Sequence, residues 1–537
     1  MSRILVYNTC IKVTDYNKGD SQEIEDFFSI ADKQSGILFP KCIDYDAKNR
    51  VLTLPRRMDI DLLSSNLNAE PEYMNTSDPY DKGLEYRLSY LPRDNVQKEA
   101  INFIIGRDKY SNIRHSSQLG VNLNTGAGKT YVTICSSTIL SVRTIMITSS
   151  IGWINQWKDR ILEYTDTAPS EIFSIIGSTS IALLMKGMVN VKNIKYFLAS
   201  HQTLHTYATA GLPNGQEDWS RVTKLFRILR VGLKVYDEAH LNFDNIWKID
   251  FNTNTAKTLY LTATPARSAN DEDKIYQMAF KNMPKIDLFN EERDRRTRYI
   301  AVLYNSHPSP GHIRYCTNRY GFDRNRYCNY IMKNEYFYKI FVIIMEIILK
   351  THYKTLIYIG TNKAIMQAYN WIMKYYPELS EQVGIYTSII DKSIKEEQLN
   401  KMIILSTTKS CGAAIDIHGL KMTVVLAEPF KSKVLARQSL GRTRDRDTTY
   451  IEVVDYGFDA IKGCYQSKLP VFVKYATNIF KERLSKEVIN PVTKKFEIDD
   501  TNLEGNYKAS LDTKSKRDKR ISVDIAKETV ELLKKKK

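Results

Sequence analysis

Between Leu123 and Thr130 the chain reads LNTGAGKT, directly after the apolar run LGVNL. A loop that holds phosphate needs backbone N–H groups converging on the anion, which glycine permits at Gly126 and Gly128. It also needs an ammonium, here Lys129, and a hydroxyl for Mg2+, here Thr130. Thr125, Gly126, Ala127, Gly128, Lys129 and Thr130 are therefore the candidate ATP-binding residues, with Leu123 where the general phosphate-loop pattern has its first glycine. A run this short can arise by chance; a strand before it and a helix after it favour the phosphate reading. Further along, VYDEAH closes another apolar run. A carboxylate at the C-terminal end of a neighbouring parallel strand is where a second Mg2+-organising group belongs. That suits Asp237 for the metal and Glu238 for polarising the attacking water. The plainer reading is a helix N-terminal acidic pair favoured by the dipole.

Two further stretches bear on the same chemistry. In LTATP, Thr262 and Thr264 could bond toward the acidic pair and report the γ-phosphate, or simply close a strand in a hydroxyl-stabilised turn. In LPRDNVQKEAINFI, the amide of Gln97 can both donate and accept, as reading the edge of adenine requires.

These residues need a scaffold that brings strand ends together. From about 91 to 285 apolar strand-like runs (LGVNL, RTIMITS, KYFLAS, LKVYDE, TLYLTAT) alternate with helical stretches, and a second series from about 336 does the same with TLIYIG, VGIYTS, MIILSTT, TVVLAE and YIEVVDYG. Such alternation implies parallel sheets covered by helices. Residues 1–90 read as a small β-rich or α+β accessory region, with a hairpin turning at Asp46 to Asn49. The window FYKIFVIIMEIILK is interrupted by Lys339 and Glu346 and is too short for a bilayer; it reads as a buried helix.

Composition narrows the partners. The 537 residues, too many for one core, suggest three or four domains, with globular values of 43% hydrophobic and 26% charged residues. A formal charge of +17 favours a polyanion, most often nucleic acid. The seven cysteines are scattered with no CxxC pair, so neither zinc nor a disulfide framework is expected. The start has no signal-like apolar core. A soluble, reducing, intracellular setting and no membrane partner are the expectations. Between the two series, arginines from Arg293 to Arg326 interleave with Tyr315, Tyr320, Phe322 and Tyr327, which suits either a basic linker or a phosphate-gripping, base-stacking surface.

Taken in order, Gln97, TGAGKT, WINQWKDRI, ASHQTL, DEAH, TATP, TTKSCGAAIDI and QSLGR resemble the DEAH-type superfamily 2 helicases over roughly residues 90 to 460, with the leucine at the loop start similar to the XPB-like and UvsW-like branches of phages and large DNA viruses. The fold this implies is α/β: two tandem RecA-like parallel-sheet domains, with ATP and Mg2+ in the cleft between them, plus the N-terminal accessory domain. The expected divisions are 1–90 accessory, with DNA contact one role open to it, 91–290 first RecA-like domain, 291–335 basic linker or insertion, 336–465 second RecA-like domain, and 466–537 extension with a basic tail. The resemblance further implies that Gln156, Gln202, Thr203 and Thr408 track the nucleic-acid backbone, that Gly412 and Asp416 face the nucleotide, and that His240, Thr262, Thr264 and Gln438 couple the two. Ala414 stands where many relatives have glycine. In QSLGRTRDRD, Gln438, Gly441 and Arg442 fit the pattern Q-x-x-G-R-x-x-R, but Asp445 replaces its last arginine. A one-residue shift swings a helical side chain by about 100°. Arg442 is therefore the first γ-phosphate candidate, Arg444 the second and Arg446 the third. The function implied is an ATP-dependent helicase or translocase acting on DNA more readily than RNA, in the cytoplasm or, for a virus, at its replication site. A transcript-release or RNA helicase, and an ATP-switched loading factor that does not unwind, are the alternatives.

Overall fold

The computed structural model describes residues 2–31, 38–124, 126–149, 151–213, 216–262, 270–290, 297–411, 417–440 and 447–483. They fall into two compact units, 1–290 and 291–537.

The first unit opens with β1 (Arg3–Val6), β2 (Cys10–Thr14), β3 (Asp44–Asp46), β4 (Val51–Pro55) and β5 (Pro71–Tyr73), in the sheet order β3-β4-β2-β1-β5. The expected hairpin is present between β3 and β4, where the Asp46 carboxylate accepts the N–H groups of Lys48 and Asn49. This sheet does not stand apart. Ile4, Val6, Ile11, Val13, Leu52 and Leu54 share one hydrophobic core with Ile246, Ile249, Tyr260, Phe280 and Met283. Each such aliphatic side chain contributes roughly 1.5–3 kcal/mol by leaving water.

The α/β part of this unit is built on β6 (Gln118–Asn122), β7 (Thr144–Thr148), β8 (Ile172–Ile175), β9 (Tyr196–Ser200), β10 (Leu233–Tyr236), β11 (Lys257–Thr262) and β12 (Lys285–Asp287), ordered β8-β9-β7-β10-β11-β6-β12. Every pairing is parallel, so all seven strands deliver their C-terminal ends to one edge. One charge is buried inside the unit. Lys234 Nζ lies 2.6 Å from Asp250 Oδ1 and 2.7 Å from Thr253 Oγ1, and the hydroxyls of Tyr236 and Tyr260 donate to the same carboxylate.

The second unit repeats the plan with β13 (Thr297–Tyr304), β14 (Thr355–Ile359), β15 (Val383–Tyr386), β16 (Ile403–Ser406), β17 (Met422–Ala427), β18 (Thr448–Asp455) and β19 (Ile479–Arg483), ordered β15-β16-β14-β17-β18-β13-β19 and again all parallel. Two of its strands lie outside the series expected from the sequence. The segment 291–335, read as a basic linker or insertion, contributes β13, whose alternate side chains are buried against β18. Beyond residue 465, the helix Asp459–Tyr475 carries Phe472 into the core and β19 extends the sheet edge. The window from Glu335 to Thr351 is a helix with Phe337, Ile340, Phe341, Ile344, Met345 and Ile348 buried. Among the described residues no helix is long and apolar enough to cross a membrane.

Candidate functional site

The phosphate loop leaves the C-terminal end of β6 and turns through two left-handed glycines, with φ of 77° at Gly126 and 93° at Gly128, into the helix Lys129–Leu140. The Ala127 N–H donates to the Asn124 carbonyl, and the Asn124 side chain forms paired bonds of 2.8 Å with the backbone of Asn290. Gln97 sits on the first turn of the helix Asn95–Ile105, whose N-terminus is capped by Asp94. Its Nε2 donates to the Ala127 carbonyl at 3.1 Å and its Oε1 accepts the Arg93 N–H at 3.0 Å. The structure thus places Gln97 buried beneath the loop, with one N–H and one lone pair of its amide occupied within the protein. Arg93 was not singled out from the sequence, yet its guanidinium holds the Gly126 carbonyl at 2.8 Å. The signal available was its position four residues ahead of Gln97.

The acidic pair meets this loop directly. Lys129 Nζ lies 3.1 Å from Glu238 Oε1, with side chains only 13% and 16% exposed. Asp237 follows β10 and continues the strand pairing through its N–H to the Ile147 carbonyl. Its Oδ1 accepts the Glu238 N–H and its Oδ2 accepts the Trp157 indole N–H, each at 3.0 Å. Burial, and after it the charge of Glu238, raise the Asp237 carboxyl to about 6, while Lys129 and the indole bond pull the other way. Glu238 itself takes a left-handed φ of 50°, a conformation that costs a non-glycine residue about 1 kcal/mol or more and is held only where neighbours dictate it. The Asp237 carboxyl, raised chiefly by burial, and the Glu238 carboxylate next to it are hard oxygen donors of the kind a divalent cation takes.

Behind the pair, buried His240 joins it to the next strand: its Nδ1 is 2.9 Å from Thr262 Oγ1 and 3.4 Å from Glu238 Oε2. His240 and Thr262, expected to couple the sites, are therefore brought together, as are Lys129, Asp237 and Glu238. Trp157, in the stretch WINQWKDRI, is buried and its indole N–H also fixes Asp237.

The residues expected on nucleic acid divide. Gln156, on the helix Ile151–Tyr164, and Gln202, on the helix His201–Thr209, are exposed. Thr203 is buried, with its hydroxyl and N–H on the capping hydroxyl of Ser200. Thr408 is buried too: Glu428, at the end of β17, accepts its N–H at 2.8 Å and its hydroxyl at 2.5 Å. Both threonines lie behind the surface in the first turn of a helix, Thr203 bonded to the Ser200 cap and Thr408 to Glu428. Glu428 was not foreseen, since the sequence offers only an acidic residue after an apolar run. Burial raises its carboxyl, and the two bonds from Thr408 oppose the rise. Thr125, Thr264, Gly412, Ala414, Asp416, Arg442, Arg444 and Arg446 lie outside the described residues, as does the side chain of Gln438. Among the described residues no group of three or more His, Cys, Asp and Glu side chains could hold a metal ion, and the seven cysteines are buried with no disulfide between them.

Known proteins bear on this geometry. Residues 91–267 match the family described as type III restriction enzyme, res subunit. A protein named as a candidate DNA 3'-5' helicase, Rad25, of Haloarcula marismortui is 27% identical over 153 residues, which are 28% of this chain and 21% of that protein. This chain therefore spans about a fifth of the length of that relative. Among solved structures, a fragment of a candidate HsdR subunit of a type I restriction enzyme from Vibrio vulnificus superposes with a TM-score of 0.50 at 15% identity, covering 86% of this chain and 78% of that one. UvsW of T4 is covered over 99% of its length at 13% identity and 90% of this chain, but its TM-score of 0.34 is too low to argue from. Residues 91–267 are thus similar to the type III restriction enzyme res-subunit family, and the two seven-stranded parallel sheets are those of tandem RecA-like domains.

Proposed function

We propose that this protein hydrolyses ATP at the phosphate loop of its first unit and uses the turnover to move along or separate DNA strands. The observation that carries the reading is the ion pair between Lys129 and Glu238, which sets the phosphate-loop ammonium against the carboxylate that would polarise water. Lys129 and the loop N–H groups bind the phosphates of ATP. Glu238 orients the attacking water and accepts its proton at Oε1 or Oε2. Trp157 fixes Asp237, and His240 carries the state of Glu238 to Thr262 on the next strand. Bound at Thr130 and Asp237, Mg2+ would neutralise phosphate charge.

Gln156 and Gln202 are the surface contacts proposed for a DNA backbone, and the basic composition and the Rad25 match favour DNA over RNA. Gln97 is the residue proposed to sense the adenine while bracing the loop. Arg442, with Arg444 next, is the proposed γ-phosphate contact from the second unit, where Gly412, Asp416 and Gln438 are proposed to accompany it. The divisions 1–90, 91–290, 291–335, 336–465 and 466–537 are proposed as functional parts: accessory, ATP-binding, basic insertion, second motor sheet and basic extension.

The test is ATP hydrolysis measured alone and with single-stranded DNA, duplex DNA, forked DNA and RNA, then strand separation on the best stimulator. Stimulation by DNA and its loss in Lys129→Ala are expected. Stimulation by RNA alone would move the reading to a transcript-directed enzyme. Hydrolysis with no strand separation or movement would leave an ATP-switched loading factor.

A further inference from the structure

In the first unit, the strand ends opposite the phosphate loop carry positive charge with nothing to answer it. Arg56 and Arg57 follow β4, where it packs on the α/β part, and Lys257 begins β11. Arg57 Nη2 reaches the Gln118 carbonyl at 3.4 Å, while Lys257 Nζ lies 3.2 Å from the Ser116 carbonyl. Two residues of extended chain separate those carbonyls, roughly 7 Å, so the two charges are neighbours. The five residues of β6 put them about 16 Å from the loop at its other end.

Half-buried arginines normally find acceptors, and this unit shows how. Arg143, 1% exposed, donates to Asp81 and to the carbonyls of Ile194, Leu229 and Lys192. Arg56 and Arg57 are treated differently. The Nε of each is buried without a hydrogen-bond partner. Among the described residues no carboxylate lies within 4 Å of either, or of Lys257. Burial lowers both arginines, and the charge of Arg56 is the second cause for Arg57, which falls to about 10. Lys257, whose three nearest acceptors are carbonyls, is lowered to about 8 by burial and then by Arg57. Leaving a buried charged donor unmet is costly, and an anion at the accessible ends of these side chains would offset part of that cost. Tyr73, 56% exposed on the edge strand β5, lies beside it with the Arg56 guanidinium 5.7 Å from its ring centre. An exposed aromatic ring next to paired guanidinium groups suits a sugar or base flanking a phosphate.

We infer that Arg56 and Arg57, with Lys257 behind them and Tyr73 at the rim, form a phosphodiester site that holds nucleic acid on the first unit away from the ATP loop. The inference rests on the nucleic-acid reading above. It assigns the seam between the N-terminal sheet and the α/β part a grip of its own, one that does not move with the nucleotide.

The experiment compares the full chain with Arg56→Gln/Arg57→Gln, with Arg57→Lys and with Tyr73→Ala, using a fluorescent single-stranded and a duplex oligonucleotide over a range of salt. The double substitution is expected to weaken binding about tenfold, to flatten the log–log salt slope by about 2 and to leave DNA-free ATP hydrolysis unchanged. Its melting temperature should hold or rise, because two repelling charges are gone. Arg57→Lys should keep most of the binding, and Tyr73→Ala should weaken the single strand more than the duplex. If wild type binds DNA and the double variant binds equally well with the same salt slope, the inference is overturned while the helicase reading stands. If wild type binds no nucleic acid at all, the helicase reading itself has failed. If inorganic phosphate at matched ionic strength raises the melting temperature of wild type but not of the double variant, and DNA binding is unaltered, the site belongs to a free anion and the inference falls.

Discussion

Gly128 is the residue that the phosphate loop tolerates changing least. Its φ of 93° is strained for any side chain, and a Cβ there would stand 2.3 Å from Gln97 Nε2. Gly128→Ala should therefore displace Gln97 or the loop, weaken ATP binding at least tenfold and cost about 1–3 kcal/mol of stability; nucleotide titration and thermal melting measure the two effects. Gly126 has no neighbour that close, so the same change there meets only the φ penalty. A different residue governs acid sensitivity. His201 is buried with both ring nitrogens unpartnered, lies stacked on Tyr236, and is held down to about 3 by burial. An unfolded histidine takes a proton near 6.5 while the folded one stays neutral, so stability falls as pH drops from that value toward 3. Between pH 7 and pH 5 the loss is about 2 kcal/mol. Urea unfolding across that window should show it, and His201→Phe should flatten the dependence. The loop glycines, Lys129 and the acidic pair were legible because phosphate chemistry restricts residue type. Trp157, Arg93 and Glu428 were not, because an indole, a guanidinium or a carboxylate gains its role only from what folding sets beside it.

At the level of elements, strand ends do the positioning. β6, β10 and β11 deliver the phosphate loop, the acidic pair and Thr262 to the same sheet edge, and β17 does the equivalent in the second unit by delivering Glu428 to the helix that starts at Thr408. That carboxylate closes both the N–H and the hydroxyl of Thr408. Glu428→Gln should remove one charge-assisted bond, cost about 1.5–3 kcal/mol and reduce DNA-stimulated hydrolysis more than the basal rate. Parallel ATPase assays and melts would separate the two. The central strands could be read from the chain as continuous apolar runs, since both their faces are covered. Of the strands missed, β8, β12 and β19 are short strands at sheet edges, while β13 lies between β18 and β19, and nothing in TRYIAVLY distinguishes a sheet strand from a basic connector. Thr203 and Thr408 show the same limit in another form: a threonine buried in the first turn of a helix and one that touches a phosphate look alike until burial is known.

For the molecule as a whole, the two sheets are near copies in strand order, yet the first carries the residues proposed to act on ATP and the second unit holds the arginine run. Arg442→Ala should abolish ATP turnover while leaving DNA binding intact, and Arg446→Ala should change turnover little; near-normal turnover in Arg442→Ala would transfer the role to Arg444. Steady-state hydrolysis with and without DNA decides between them. The core shared by the N-terminal strands and residues as distant as Met283 has a consequence for how the protein is made. The first sheet leaves the ribosome with one face bare, and its covering helices follow some two hundred residues later. At about 5–20 residues per second that is a delay of roughly 10–40 s. During it, Ile4, Val6, Ile11 and Val13 have only local partners such as Ile24, Phe28 and Leu63 from the same core. Synthesis of this chain therefore contains a built-in waiting period before the N-terminal sheet gains the rest of its core.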